Sequence, residues 1–174
     1  NKRVEEFKEK ISTDTDRVLG ETIDYVLEPQ VSFVLMDPHT GEVLALTGGR
    51  GEKKQSKTLN RASNVYRQPG STFKVVSSFA PAIDLYGATL ASTYYDSEYT
   101  VGNKTFKNWY SGGYLGYQSI RDGIVYSLNI VAVRCLMETV KPERGYEYAK
   151  SLGISSLVED DKNPALALGG LTKG

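Results

Sequence analysis

Apolar side chains recur at Val4, Phe7, Ile11, Val18 and Val26 on a charged background. This near-helical spacing predicts one or two amphipathic helices across residues 2–28 at the edge of a domain, with Asp14 and Asp16 as caps near the middle. The period then changes. V-S-F-V-L-M-D (31–37) and E-V-L-A-L-T (42–47) are β-prone runs on either side of P-H-T-G, so they predict a hairpin. Because the first run is apolar on both faces, it is expected inside a covered sheet. From Gly48 to Gln68 the chain is polar and irregular, a loop that ends in Pro69-Gly70. Residues 71–86 are apolar nearly all round (Phe73, Val75, Val76, Phe79, Ile83, Leu85), which predicts a buried helix kinked at Pro81. Tyrosine-rich, β-prone segments follow at 93–106, then a glycine-studded loop, N-W-Y-S-G-G-Y-L-G-Y. Helices are expected at 128–140 and at 142–151, the latter opened by Pro142 and closed by Gly153.

Composition narrows the function more than the fold. The 174 residues are one domain's worth of chain, and 21 basic side chains balance 21 acidic ones with no stretch of five or more like charges. A polyanion partner such as nucleic acid is therefore not expected. One cysteine, Cys135, excludes an intrachain disulfide and any zinc site built on several thiolates. No stretch of 18 apolar residues occurs. The first ten residues lack the apolar core of a signal peptide, and the chain starts at Asn1 and stops at T-K-G, so it reads as a piece cut from something longer.

The candidate chemistry lies in R-Q-P-G-S-T-F-K (67–74). On a helix Ser71 and Lys74 share a face at i and i+3, close enough to touch. A serine in the first turn sits among free backbone N-H groups that favour developing negative charge. A lysine sunk in an apolar helix loses part of its preference for the ammonium form and can act as a base. The plain alternative makes Ser71 an N-cap and lets Lys74 extend to the surface. A second pair, Ser127 and Asn129 in Y-S-L-N, opens another apolar helix. Ser127 can relay a proton to a leaving amine and the Asn129 amide can hold both Lys74 and a substrate carbonyl, although such a pair also serves simply as a cap. Trp109 and Tyr110 either line a peptide groove or anchor their loop. His39 reads as a solvated turn residue and Cys135 as a small core side chain. Asp96 and Glu98 show no pairing suited to acid/base work.

Taken together these segments resemble the penicillin-binding proteins, the serine D,D-transpeptidases of the cell wall. The strings that carry the resemblance run in the family's order. They are V-L-M-D-P-H-T-G-E-V-L-A-L-T-G-G (34–49), L-N-R-A (59–62), R-Q-P-G-S-T-F-K (67–74), N-W and Y-L-G (108–116), R-D-G-I-V-Y-S-L-N-I-V-A-V (121–133) and L-G-G-L-T-K-G (168–174). R-Q-P-G with N-R-A upstream is closer to the bifunctional class A than to class B. The resemblance implies an α+β fold, an antiparallel sheet covered by helices. It divides the chain into a linker and N-terminal helix (1–30) and the N-terminal part of a transpeptidase domain (31–174). It implies that Ser71 is the acylated nucleophile, Lys74 its base, and Ser127 and Asn129 the second motif. The backbone N-H of Ser71 would form half the oxyanion hole.

The implied acyl donor is a stem peptide ending in D-Ala-D-Ala, and β-lactam antibiotics are the implied covalent ligands. No metal or organic cofactor is implied, and the location is the extracytoplasmic face of a bacterial membrane, anchored by a segment outside this chain. Two departures stand out. Val75 replaces the proline that often follows the lysine, and the third motif, K-T-G, is absent: Leu171-Thr172-Lys173-Gly174 has the wrong order. The C-terminal remainder of the domain, covalent or as a second chain, is therefore an expected partner, and without it the piece is expected to aggregate through an open sheet edge. Two other members of the superfamily enter as alternatives. A serine β-lactamase of class A would need a glutamate where Ser56 precedes T-L-N (58–60), so a long-lived acyl-enzyme is expected instead. A β-lactam sensor would use the same serine without turnover.

Overall fold

The computed structural model describes residues 2–11, 13, 15–16, 29–53 and 55–173. It divides into two compact units, Asn1–Val65 and Tyr66–Gly174.

In the first unit, α1 spans Lys2–Ile11 and carries an exposed Glu5–Lys8 ion pair. Phe7 is exposed; Asp14, Val18 and Val26, and the side chains of Val4 and Ile11, lie outside the described residues. The Asp16 carboxylate accepts the Thr13 N-H at 2.7 Å, and the residues that it would cap lie outside the described ones. The hairpin forms as its pattern predicts: β1 (Phe33–Met36) pairs antiparallel with β2 (Val43–Thr47). Its turn is set by Asp37, whose Oδ1 accepts the N-H groups of His39 and Thr40, while Gly41 takes φ +75°. His39 is exposed in that turn. The expectation of a covered sheet does not hold for β1: Phe33, Val34, Leu35 and Met36 are all exposed, as are Val43, Leu44 and Leu46. Apolar residues on both faces need a cover on both faces, and two strands cannot supply it for themselves.

The second unit holds the core. The predicted helix at 71–86 is present but is not uniform. A 3-10 turn at Gly70–Thr72 leads into a π-helical turn at Val75–Phe79, and α2 follows at Ala80–Tyr86. Pro81 has no N-H to donate. The widened turn directly before it, with the Ala80 N-H reaching back to the Val75 carbonyl, absorbs the proline within a continuous helical path. Antiparallel pairs follow, β3 (Thr93–Asp96) with β6 (Gly116–Ser119) and β4 (Tyr99–Val101) with β5 (Lys104–Phe106). Among the described residues the strands thus form three separate two-stranded ribbons.

Short α3 (Ile120–Val125) links β6 to α4 (Asn129–Arg134), which continues as a second π turn at Cys135–Val140 before α5 (Pro142–Ser151). Ile130, Val131, Ala132 and Val133 of α4 are fully buried together with Phe79, Ile120, Leu128 and Leu136. Full burial of each large side chain is worth about 1.5–3 kcal/mol, so this helix is the best-anchored element of the unit. Cys135 lies in the same core, and burial pushes its thiol up to about 11, which suits packing and not reactivity. At Gly145 a Cβ would stand 2.5 Å from the Ser77 carbonyl oxygen. The π turn and α5 can approach this closely only because that position has no side chain.

Candidate active site

Local chemistry explains how Ser71 is presented. Gly70 turns the chain at φ +58°, and the Thr72 hydroxyl donates to the Pro69 carbonyl at 2.7 Å, closing the 3-10 turn. The turn is braced by chain far along the sequence. The Gln68 carboxamide makes a reciprocal pair with the backbone of Leu171, and Gly169, at φ +67°, packs so closely that a Cβ there would meet the Gly70 carbonyl oxygen at 2.3 Å. Thr172 is in turn tied to the buried Asp161, which accepts its N-H and its hydroxyl at 2.7 Å each. L-G-G-L-T therefore buttresses the serine turn as irregular chain. Ser71 itself is exposed, and among the described residues its hydroxyl makes no hydrogen bond, so it is not an N-cap.

Lys74 does the opposite. It is 2% exposed, which rules out a surface position, and its Nζ donates to the Ser127 carbonyl at 2.7 Å, the Ser127 Oγ at 2.9 Å and the Asn129 Oδ1 at 2.7 Å. Among the described residues Lys74 makes no hydrogen bond to Ser71, its i, i+3 neighbour; the lysine reaches across to the second motif. Burial lowers its pKa from the ordinary 10.5 to about 8. The partners suit a change of charge. Two are carbonyl oxygens that only accept, and the third is a hydroxyl that can accept from the ammonium or donate to the neutral amine. Lys74 can therefore lose a proton while all three partners stay bonded.

Ser127 is delivered to the lysine by the way α3 ends. Ser119 and Asp122 form a capping box at its start. At its end the Leu128 N-H bonds to the Gly123 carbonyl and the Ser127 N-H to the Ile124 carbonyl, a Schellman pattern. The position that pattern reserves for glycine is Ser127, at φ +51°. A serine there costs about 1 kcal/mol of backbone strain. The retained side chain is the one that meets Lys74. Ser127→Gly relieves that strain but takes a hydrogen bond from the buried Lys74, worth about 0.5–1.5 kcal/mol, so thermal melts are expected to show little net change in Tm.

Asn129 offers its Oδ1 to Lys74 while its Nδ2 donates to the Lys107 carbonyl at 2.9 Å, leaving one N-H of the amide free of these contacts. Trp109 is 71% exposed, its indole N-H donating to the Tyr126 carbonyl at 3.0 Å, so the ring lies beside the second motif. Tyr110 is half-buried; its hydroxyl donates to Asp96, and burial first, then the Asp96 charge, raises its pKa. The structure thus gathers Lys74, Ser127 and Asn129, sets Trp109 next to them and turns Tyr110 toward the interior. Sequence reasoning missed Gln68, Asn108 and Asp96, whose partners are remote in sequence and leave no local spacing signal. Among the described residues no three His, Cys, Asp or Glu side chains gather into a metal-binding group.

Residues 31–165 match the penicillin binding protein transpeptidase domain, and the chain belongs to that family. It is 33% identical over 184 residues to penicillin-binding protein 1A of Clostridium tetani, covering 99% of this chain and 23% of that protein. Penicillin-binding protein 1F of Bacillus subtilis is 41% identical over 143 residues, 82% of this chain and 19% of that protein. The chain thus spans under a quarter of the length of either relative. The solved structure of the PonA1 protein from Mycobacterium tuberculosis in complex with penicillin V matches with a TM-score of 0.67 at 26% identity, over 83% of this chain and 41% of that one. Penicillin-binding protein 1A from Haemophilus influenzae matches with a TM-score of 0.62 at 29% identity, over 74% and 19%. The fold is α+β, as the order of motifs implied.

Proposed function

We propose that this chain carries the nucleophile, base and second motif of a serine D,D-transpeptidase of peptidoglycan synthesis, which takes acyl groups from D-Ala-D-Ala stem peptides and is acylated by penicillins. The observation that carries the reading is the buried Lys74 bonded at once to Ser127 and Asn129, one turn behind an exposed serine. In the forward step neutral Lys74 accepts the Ser71 proton as Oγ attacks the acyl carbonyl. The ammonium then returns a proton through the Ser127 hydroxyl to the leaving nitrogen, that of D-alanine or of the opened β-lactam ring. The Ser71 backbone N-H stabilises the oxyanion, and the free N-H of Asn129 and the Trp109 ring contact the substrate. Membership of the transpeptidase family and the penicillin V complex of the related PonA1 protein support this assignment.

In the same reading a K-T-G-bearing segment, covalent or on a second chain, binds the substrate carboxylate and gives the other oxyanion donor. The active protein works at the extracytoplasmic membrane face, held by an anchor outside these residues. The test is intact mass with and without benzylpenicillin, followed by peptide mapping, on this chain and on one extended through K-T-G. A stable adduct on Ser71 in the extended chain alone is expected. An adduct on another residue, or none in either chain, overturns the assignment, and hydrolysis of the adduct within seconds makes it a β-lactamase. In the extended chain Ser127→Gly slows adduct formation with little change in Tm.

A further inference from the structure

The segment Lys107–Trp109 touches the second motif at three points. The Lys107 carbonyl takes the Asn129 Nδ2, the Trp109 indole reaches the Tyr126 carbonyl, and the Asn108 Oδ1 accepts the backbone N-H of Asn129 at 2.9 Å and of Ile130 at 3.3 Å. The last contact substitutes for a missing cap. Leu128, which precedes α4, has no side chain able to satisfy the helix's free N-H groups, so a carboxamide 21 residues earlier in the chain does it. Asn108 is held in its turn. Its Nδ2 donates to Asp96 Oδ1 at 2.8 Å, while Asp96 Oδ2 accepts the Tyr110 hydroxyl at 3.2 Å and the Leu115 N-H at 2.9 Å. Asp96 is 1% exposed, at the end of β3.

We propose that Asp96 and Asn108 are a positioning pair for acyl transfer: Asp96 orients the Asn108 carboxamide, and Asn108 fixes the start of α4 so that the oxygens of Ser127 and Asn129 converge on Lys74. The proposal rests on the acyl-transfer reading above. Its physical basis is that neighbouring residues hold both the backbone and the side chain of Asn129. A displacement of Asn108 therefore moves the oxygen that Lys74 contacts, and errors of an ångström at reacting groups are costly. The direction of each hydrogen bond matters as well. Asn108 must accept from the helix and donate to Asp96, a division that a carboxamide facing a carboxylate meets and two carboxylates do not.

The experiment uses the full-length protein with Asn108→Ala, Asn108→Asp, Asp96→Asn and the exchanged double variant Asp96→Asn with Asn108→Asp. The rate of benzylpenicillin acylation is measured per molecule able to be acylated, beside Tm. The single variants are expected to slow acylation about 10- to 100-fold, and the exchanged pair, which restores a donor facing an acceptor, recovers most of the rate. A merely structural pair lowers Tm and the acylable fraction but leaves the rate constant alone, and that result overturns the proposal. So does an exchanged pair no faster than the singles.

A second readout does not need acylation: NMR titration of Lys74 in lysine-labelled protein, assigned with Lys74→Arg. Asn108→Ala is expected to move its midpoint up by about one pH unit as water reaches the amine; an unmoved midpoint overturns the proposal. If the parent protein takes up no penicillin, the acyl-transfer reading fails, and this titration still decides whether Asp96 and Asn108 position the lysine's partners.

Discussion

Ser71→Ala in the complete protein is expected to abolish covalent uptake of labelled penicillin while leaving the folding stability within about 0.5 kcal/mol of the parent's. Both halves follow from the same geometry. The Ser71 hydroxyl is exposed and has no hydrogen bond among the described residues, so its removal orphans nothing. The other serines near the lysine are poor substitutes. Ser127 is half-buried and bonded to Lys74, and Ser77 is buried with its hydroxyl given to the Phe73 carbonyl. Nucleophilic catalysis has no partial form once the attacking oxygen is gone. Peptide mapping that finds a stable adduct on Ser127 or elsewhere in the Ser71→Ala protein would sink the assignment of the nucleophile.

The second large effect concerns Lys74. Replacing it with methionine keeps an unbranched apolar chain in the buried slot but removes the base, and acylation is expected to fall by about 10²- to 10⁴-fold, or roughly 3–5 kcal/mol of barrier. Arginine is the sharper test. It retains positive charge and donors yet cannot give up a proton, so it should be as slow as methionine at every pH. Fast acylation by Lys74→Arg would mean that the residue acts through its charge alone.

The pH profile of the parent protein follows from the direction of the shift. With a pKa lowered to about 8, the amine at pH 7 is roughly one-tenth neutral and at pH 9 roughly nine-tenths. Since the neutral form is the base, the acylation rate should rise with pH through a midpoint near 8 and level off above it. A flat profile between pH 6 and 9 would contradict the role. The neutral amine keeps two N-H donors for the Ser127 and Asn129 carbonyl oxygens, and its lone pair takes the Ser71 proton only once it turns from the Ser127 hydroxyl; the ammonium so formed donates to that hydroxyl and opens the proton route toward the leaving group.

Much of this was readable in the chain before any fold was known, because it rests on interactions within a few residues. The D-P-H-T-G turn announces the hairpin through the Asp37 side chain and a glycine that takes positive φ. Pro142 and Gly153 bound α5. S-x-x-K and S-x-N name the four groups of the candidate site, and the order of the motifs identifies the family. Two kinds of signal pointed to partners for Lys74, and S-x-N named the ones it bonds to. The i, i+3 rule points to Ser71, whereas burial of the helix turns the amine toward acceptors 53 and 55 residues away.

Tertiary packing likewise decided that the Gln68 amide closes on Leu171 across 103 residues and that Asp96 reaches the second motif through Asn108. It also left β1 and β2 exposed despite their apolar faces. The physical reason is common to these cases. Turns, caps and periodicity are local, repeating features and so leave a mark in the order of residues. A long-range hydrogen bond has no spacing of its own, and exists only once the buried faces of separate elements have brought its donor and acceptor together.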